Sequence, residues 1–181
     1  RCHPRSRLRP GTVNEMAEKE NNRNWFAVAV RIEEMGIELY ARLLALLEDG
    51  SRAQEDVSYL LEQENYHRAW FEGRMREFEE RGAAGTPDTR TAGAMPGPRA
   101  AADSTAGLVP AELERELEAI LSGRLPETAR EALLLGARVE RETIRFYDDI
   151  LSSLSGKEER KALGKIIDEE REHYQRINLL L

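Results

Sequence analysis

This 181-residue chain has a single cysteine, Cys2. An intrachain disulfide, an iron–sulfur cluster, a rubredoxin-type iron site or a cysteine-based zinc site needs several thiolates, so none can be built from this chain alone. Long apolar runs are also missing. No stretch approaches the roughly 18 residues of a membrane span, and the mean hydropathy is −0.61. A cytoplasmic protein that does not cross a bilayer is expected. A basic excess is absent too: 27 Lys and Arg stand against 34 Asp and Glu, a formal charge of −7. That balance argues against nucleic acid or an anionic membrane as partner. The length suits one domain with a sizeable core.

Residues 1–15 have no apolar segment of the signal-peptide kind, whereas Met16 opens the run MAEKENN. The native start is expected at Met16, and residues 1–23 are expected to be a leader without packed structure. Removing the four Arg and one Glu of residues 1–15 leaves 23 basic against 33 acidic residues, so the remainder is acidic.

What the chain has is helical periodicity. Trp25, Val28, Ala29, Ile32, Leu39, Leu43, Leu46 and Leu47 recur at three- and four-residue steps after an Asn-rich stretch ending at Asn24, which predicts a helix to about Glu48. Asp49-Gly50 breaks it. Ser51 with Gln54 reads as a capping box opening a second helix that runs to about Glu80. Residues 82–108, rich in Gly, Ala, Pro and Thr, read as a flexible linker. Leu113, Leu117, Ile120 and Leu121 predict a short amphipathic helix over 109–121. A further helix is expected from near Pro126 to about Leu154 and a last one from Lys157 to Asn178, separated by Gly156. The reading is all-α: a hairpin over 24–80, a crossover over 82–125 and a hairpin over 126–178.

The two hairpins repeat one another. Arg31, Glu33, Ile37 and Tyr40 recur as Arg138, Glu140, Ile144 and Tyr147, where 140 − 33 and 147 − 40 both give 107. Glu64 and His67 recur as Glu170 and His173, where 170 − 64 and 173 − 67 both give 106. Residues three apart share a helix face, so each Glu-x-x-His pair directs a carboxylate and an imidazole to one place. Glu33 and Glu64 also lie at matching depths from their turn, as do Glu140 and Glu170. Packed about a pseudo-twofold axis, the hairpins would form a four-helix bundle with all six side chains at one level. Such a pairing needs the second and third helices joined from end to end, hence the long crossover.

A single glutamate on a helix is most often solvated, and a lone histidine beside aromatic residues is most often a satisfied core residue. The matched register sets these six apart. Four carboxylates buried together repel one another and lose hydration, which requires compensating positive charge. Two divalent cations would balance four glutamates and leave both histidines neutral. One Glu on each of two helices and Glu-x-x-His on the other two is a ligand set that bundles use for di-iron or di-manganese centres.

These motifs resemble the rubrerythrin-like branch of the ferritin-like superfamily, in which Glu-x-x-Gly-x-x-Phe/Tyr-Tyr helices alternate with Glu-x-x-His helices, over roughly residues 24–178. The resemblance implies a ferritin-like four-helix bundle holding two iron ions, with manganese or a mixed pair as alternatives. Glu33 and Glu140 would be terminal ligands, Glu64 and Glu170 would bridge, and His67 and His173 would bind one metal each. Tyr40 and Tyr147 would support the ligands from behind, or simply pack in the core. The chain departs from full-length rubrerythrins in lacking a CxxC-bearing rubredoxin segment, and Thr143 stands where some members carry a further glutamate.

The function expected from that likeness is a di-iron redox protein that reduces hydrogen peroxide or dioxygen with electrons from an external donor such as a rubredoxin, as a homodimer. The alternative is a ferroxidase or iron-binding and storage protein without peroxidase turnover. A metal-free helical interaction module would need the six polar side chains exposed, against their place on the apolar seams.

Overall fold

The computed structural model describes the backbone of residues 10–83 and 109–181, and side chains over 24–77, at Glu80 and over 109–181. Five α-helices and no strand occur among the described residues: α1 Pro10–Leu44, α2 Arg52–Ala83, α3 Ala111–Leu121, α4 Ala129–Ser153 and α5 Lys157–Leu180. None is long and apolar enough to cross a membrane. The expected linker lies outside the described residues, apart from its first two positions, which continue α2, and so do the expectations for residues 1–9.

The helix ends follow local chemistry. Thr128 caps α4: its Oγ1 accepts from the Glu131 backbone N–H while the Glu131 carboxylate accepts from the Thr128 N–H. This reciprocal box, worth about 1 kcal/mol, moves the start three residues past the expected Pro126. Ser51 Oγ accepts from the Gln54 N–H at 3.2 Å, and the Gln54 side chain turns back to the Gly50 N–H at 2.7 Å. Gly50, at φ +72°, supplies the left-handed turn between α1 and α2. At the other turn, Arg160 donates to the carbonyls of Leu151 and Leu154, satisfying the open end of α4.

Two boundaries of α1 differ from expectation. The helix starts at Pro10 rather than near Asn24, so residues 10–23 are helical backbone and not an unstructured leader. Asparagine caps a helix only where the chain upstream leaves it; inside a helix it costs no more than about 0.7 kcal/mol. At the far end, Leu46 and Leu47 bond back three residues, to Leu43 and Leu44, so the α-helix closes in a tightened turn before Glu48.

The long helices touch in a closed ring, α1 with α2 and α4, α5 with α4 and α2, and α3 lies across α1 and α4. Each neighbouring pair is antiparallel. Phe26 meets Phe71 between α1 and α2, while Glu33 meets Tyr147 and Tyr40 meets Glu140 between α1 and α4. Asp56 meets Arg176 and His67 meets Glu169 between α2 and α5. α2 and α4 therefore run the same way, so the connection from Ala83 to Ala129 begins at one end of the ring and finishes at the other. The contact pattern is unchanged when the first hairpin is exchanged for the second, as the internal repeat requires. Phe26, Leu39, Leu43, Phe71, Phe146, Ile150, Leu163 and Ile177 fill the interior, and Leu113, Leu117 and Ile120 of α3 close one side.

Candidate metal centre

Eight polar or charged residues are buried among the described residues, and six of them, Glu33, Glu64, His67, Glu140, Glu170 and His173, none more than 4% exposed, lie within this apolar interior. The structure brings all six predicted ligands together. Glu33 comes from α1, Glu64 and His67 from α2, Glu140 from α4, and Glu170 and His173 from α5. The histidine rings stack with centroids 5.5 Å apart. His67 turns Nδ1 inward, 2.9 Å from Glu170 Oε1 and 3.8 Å from Glu33 Oε2. His173 does the same, with Nδ1 3.1 Å from both Glu64 Oε1 and Glu170 Oε2 and 4.0 Å from Glu140 Oε1.

Two tetrads of these side chains could hold a metal ion: Glu33, Glu64, His67 and Glu170, and Glu64, Glu140, Glu170 and His173, the ligand atoms of each lying within 4.8 Å of one another. Glu64 and Glu170 belong to both. The donor atoms also fit a cation by what they lack. Glu33 Oε2, His67 Nδ1 and Glu170 Oε1 are buried without a hydrogen-bond partner, although they crowd together. Oxygen and nitrogen lone pairs aimed at one point and unused by the protein suit a divalent metal.

The electrostatics agree. Burial pushes the Glu33 carboxyl up to about 7, reinforced by the charge of Glu170. Burial and the neighbouring carboxylates, Glu170 first, hold Glu64 and Glu140 well above the ordinary range. Burial also opposes ionisation of Glu170, but the charge and hydrogen bond of His173, with the closeness and charge of His67, outweigh it and keep that carboxyl well below the usual value. His67 goes up to about 9, because the closeness of Glu170, the charge of Glu33 and the bond to Glu169 overcome its burial. Without a cation the cluster keeps protons to limit its charge; a cation would take their place.

Tyr40 and Tyr147 are fully buried and brace Glu140 and Glu33 crosswise. Tyr40 Oη on α1 donates to Glu140 Oε1 on α4, and Tyr147 Oη on α4 donates to Glu33 Oε1 on α1. Burial first, and then the carboxylates, raise both phenols well above their normal value, so they remain proton donors. Gly36 makes room for Glu64: a Cβ there would stand 2.8 Å from Glu64 Oε2. Thr143, the equivalent position on α4, is buried with its hydroxyl unpartnered.

Two features escaped the sequence reading. Glu169 Oε2 lies 3.0 Å from His67 Nε2, and Glu142, itself buried, is held between Arg141 and Arg145 of α4. For Glu169 the available signal was its place one residue before Glu170, too common in a chain this rich in glutamate to single it out. No protein-family model matches the chain, and comparison with curated proteins and with solved structures finds no match either.

Proposed function

We propose that this chain is a ferritin-like, rubrerythrin-type four-helix protein whose six buried ligands hold two iron ions for redox chemistry on hydrogen peroxide or dioxygen. One observation carries the reading: the two ligand tetrads share Glu64 and Glu170 and differ only in Glu33 with His67 against Glu140 with His173. Shared carboxylates are what a bridged pair of ions would need, and Glu33 with His67 and Glu140 with His173 would each complete one position.

Four glutamates cancel the charge of two divalent ions with both histidines neutral. When bound, such a pair supplies two electrons to the oxidant and recovers them from an external donor such as a rubredoxin. The chain's own residues prepare the place. Glu33 and Glu140 are held from the far side by Tyr147 and Tyr40, so their orientation is set before metal arrives. The six residues are each at most 4% exposed, which keeps bulk water from them. Nothing in this chemistry requires a side-chain nucleophile.

Anaerobic loading with ferrous ion, followed by stopped-flow mixing with peroxide and separately with oxygen, tests the reading. The expected result is uptake of two irons per chain, oxidation by peroxide within a rapid phase, and reversal by a reductant. Absence of iron uptake ends it. Accumulation of many irons per chain, without reductant-driven turnover, moves the function to iron oxidation and storage.

A further inference from the structure

We propose that Glu169 is the positioning residue for His67 and makes the metal position built on Glu33 and His67 the tighter of the two. This rests on the two-metal reading above. A neutral imidazole has one protonated and one free nitrogen, and only the free one binds metal. In both histidines Nδ1 faces the carboxylates, so the proton belongs on Nε2. At His67 an acceptor is waiting: Glu169 Oε2 is 3.0 Å from Nε2. A carboxylate there selects the tautomer, fixes the ring and makes Nδ1 a stronger donor to a metal.

His173 has no such partner. Its Nε2 is buried and makes no hydrogen bond. Under the internal repeat the residue in the place of Glu169 is Gln63, since 169 − 106 is 63, a partly buried neutral side chain that leaves His173 unbonded. The two positions thus match in their ligands and differ in what stands behind the imidazole. Glu169 also reaches the surface, with its side chain 35% exposed, and lines a cavity of about 190 Å³ with Tyr66, Trp70 and Lys165. Its carboxylate keeps one side in water, which spares the cost of a fully buried charge.

The test is titration of the metal-free full-length protein with Co(II), followed by absorbance, alongside E169A, E169Q and Q63E. Wild type is expected to fill in two resolved steps. E169A should weaken the first step about tenfold or more and leave the second unmoved; Q63E should tighten the second. E169Q keeps an acceptor for Nε2, should fall between wild type and E169A, and carries the test if E169A does not fold. Histidine 15N spectra of the zinc-loaded protein supply a readout that general destabilisation would not move: a slowly exchanging proton on His67 Nε2 in wild type, lost to fast exchange in E169A. Two ions bound with unchanged step affinities in E169A and E169Q overturn this inference alone. No metal uptake by wild type overturns it together with the two-metal reading.

Discussion

Tyr147 on α4 donates its hydroxyl to Glu33 on α1, and Tyr40 on α1 returns the same bond to Glu140 on α4. Each helix holds the other's glutamate. Tyr147→Phe leaves a buried carboxyl without its donor, which should destabilise the metal-free protein by about 1–3 kcal/mol, and Tyr40→Phe should do the same. Urea unfolding of the metal-free variants measures this. Unchanged midpoints would show that these phenols serve only as core filler.

Loss of a shared ligand should differ from loss of an unshared one. Glu33→Gln or Glu140→Gln is expected to leave one ion bound per chain, whereas Glu64→Gln or Glu170→Gln should weaken both positions together. Metal content after desalting, read by mass spectrometry, distinguishes them. Equal loss from all four variants would contradict two overlapping positions.

The pH dependence of stability has a definite sign. Glu33, Glu64, Glu140 and His67 all have folded-state values raised above ordinary ones. A raised group binds its proton more tightly when folded, so its contribution is complete below its unfolded value and disappears as pH rises through the folded one. With Glu33 at about 7 and His67 at about 9, the metal-free protein should melt at progressively lower temperature from pH 5 to pH 9. The depressed Glu170 works in the opposite sense only at more acidic pH. Bound divalent metal displaces these protons and should flatten the profile, with proton release on loading. A melting temperature that rises over this window in the metal-free protein would contradict the burial assigned to the carboxyls.

Gly36→Ala and Gly73→Ala make a matched pair. Alanine is favoured over glycine in a helix interior by about 1 kcal/mol, and at Gly73 a Cβ meets nothing within 4 Å, so stability should rise with metal binding unchanged. At Gly36 the Cβ collides with Glu64 Oε2 at 2.8 Å. There the carboxylate must move, and affinity for both ions should fall about tenfold or more. Calorimetric titration of the two variants checks it; equal affinities would remove the role given to Gly36.

Much of this was legible because the relevant signals are local and periodic. Glu64 with His67 and Glu170 with His173 lie one turn apart, a spacing that puts each pair on one face whatever the rest of the chain does. The repeat then linked the hairpins, since Glu33 and Glu140 occupy the same register. Helix ends were less legible. Asn24 looks like a cap, but α1 is already helical from Pro10 onward, and a side chain able to cap has nothing to cap when the helix continues through it.

Composition and spacing by themselves determined that the chain is helical, that it lacks the thiols for sulfur-ligated metals, and that each Glu-x-x-His pair lies on one face of its helix. These properties depend on residues within a turn or two of one another. Only the tertiary structure decided who meets whom across helices: Tyr147 with Glu33, Tyr40 with Glu140, and Glu169 with His67 while His173 Nε2 stays unbonded. Those pairings join residues about a hundred positions apart, and helix rotation and spacing, set by the packing of the whole interior, choose which atoms come within bonding distance.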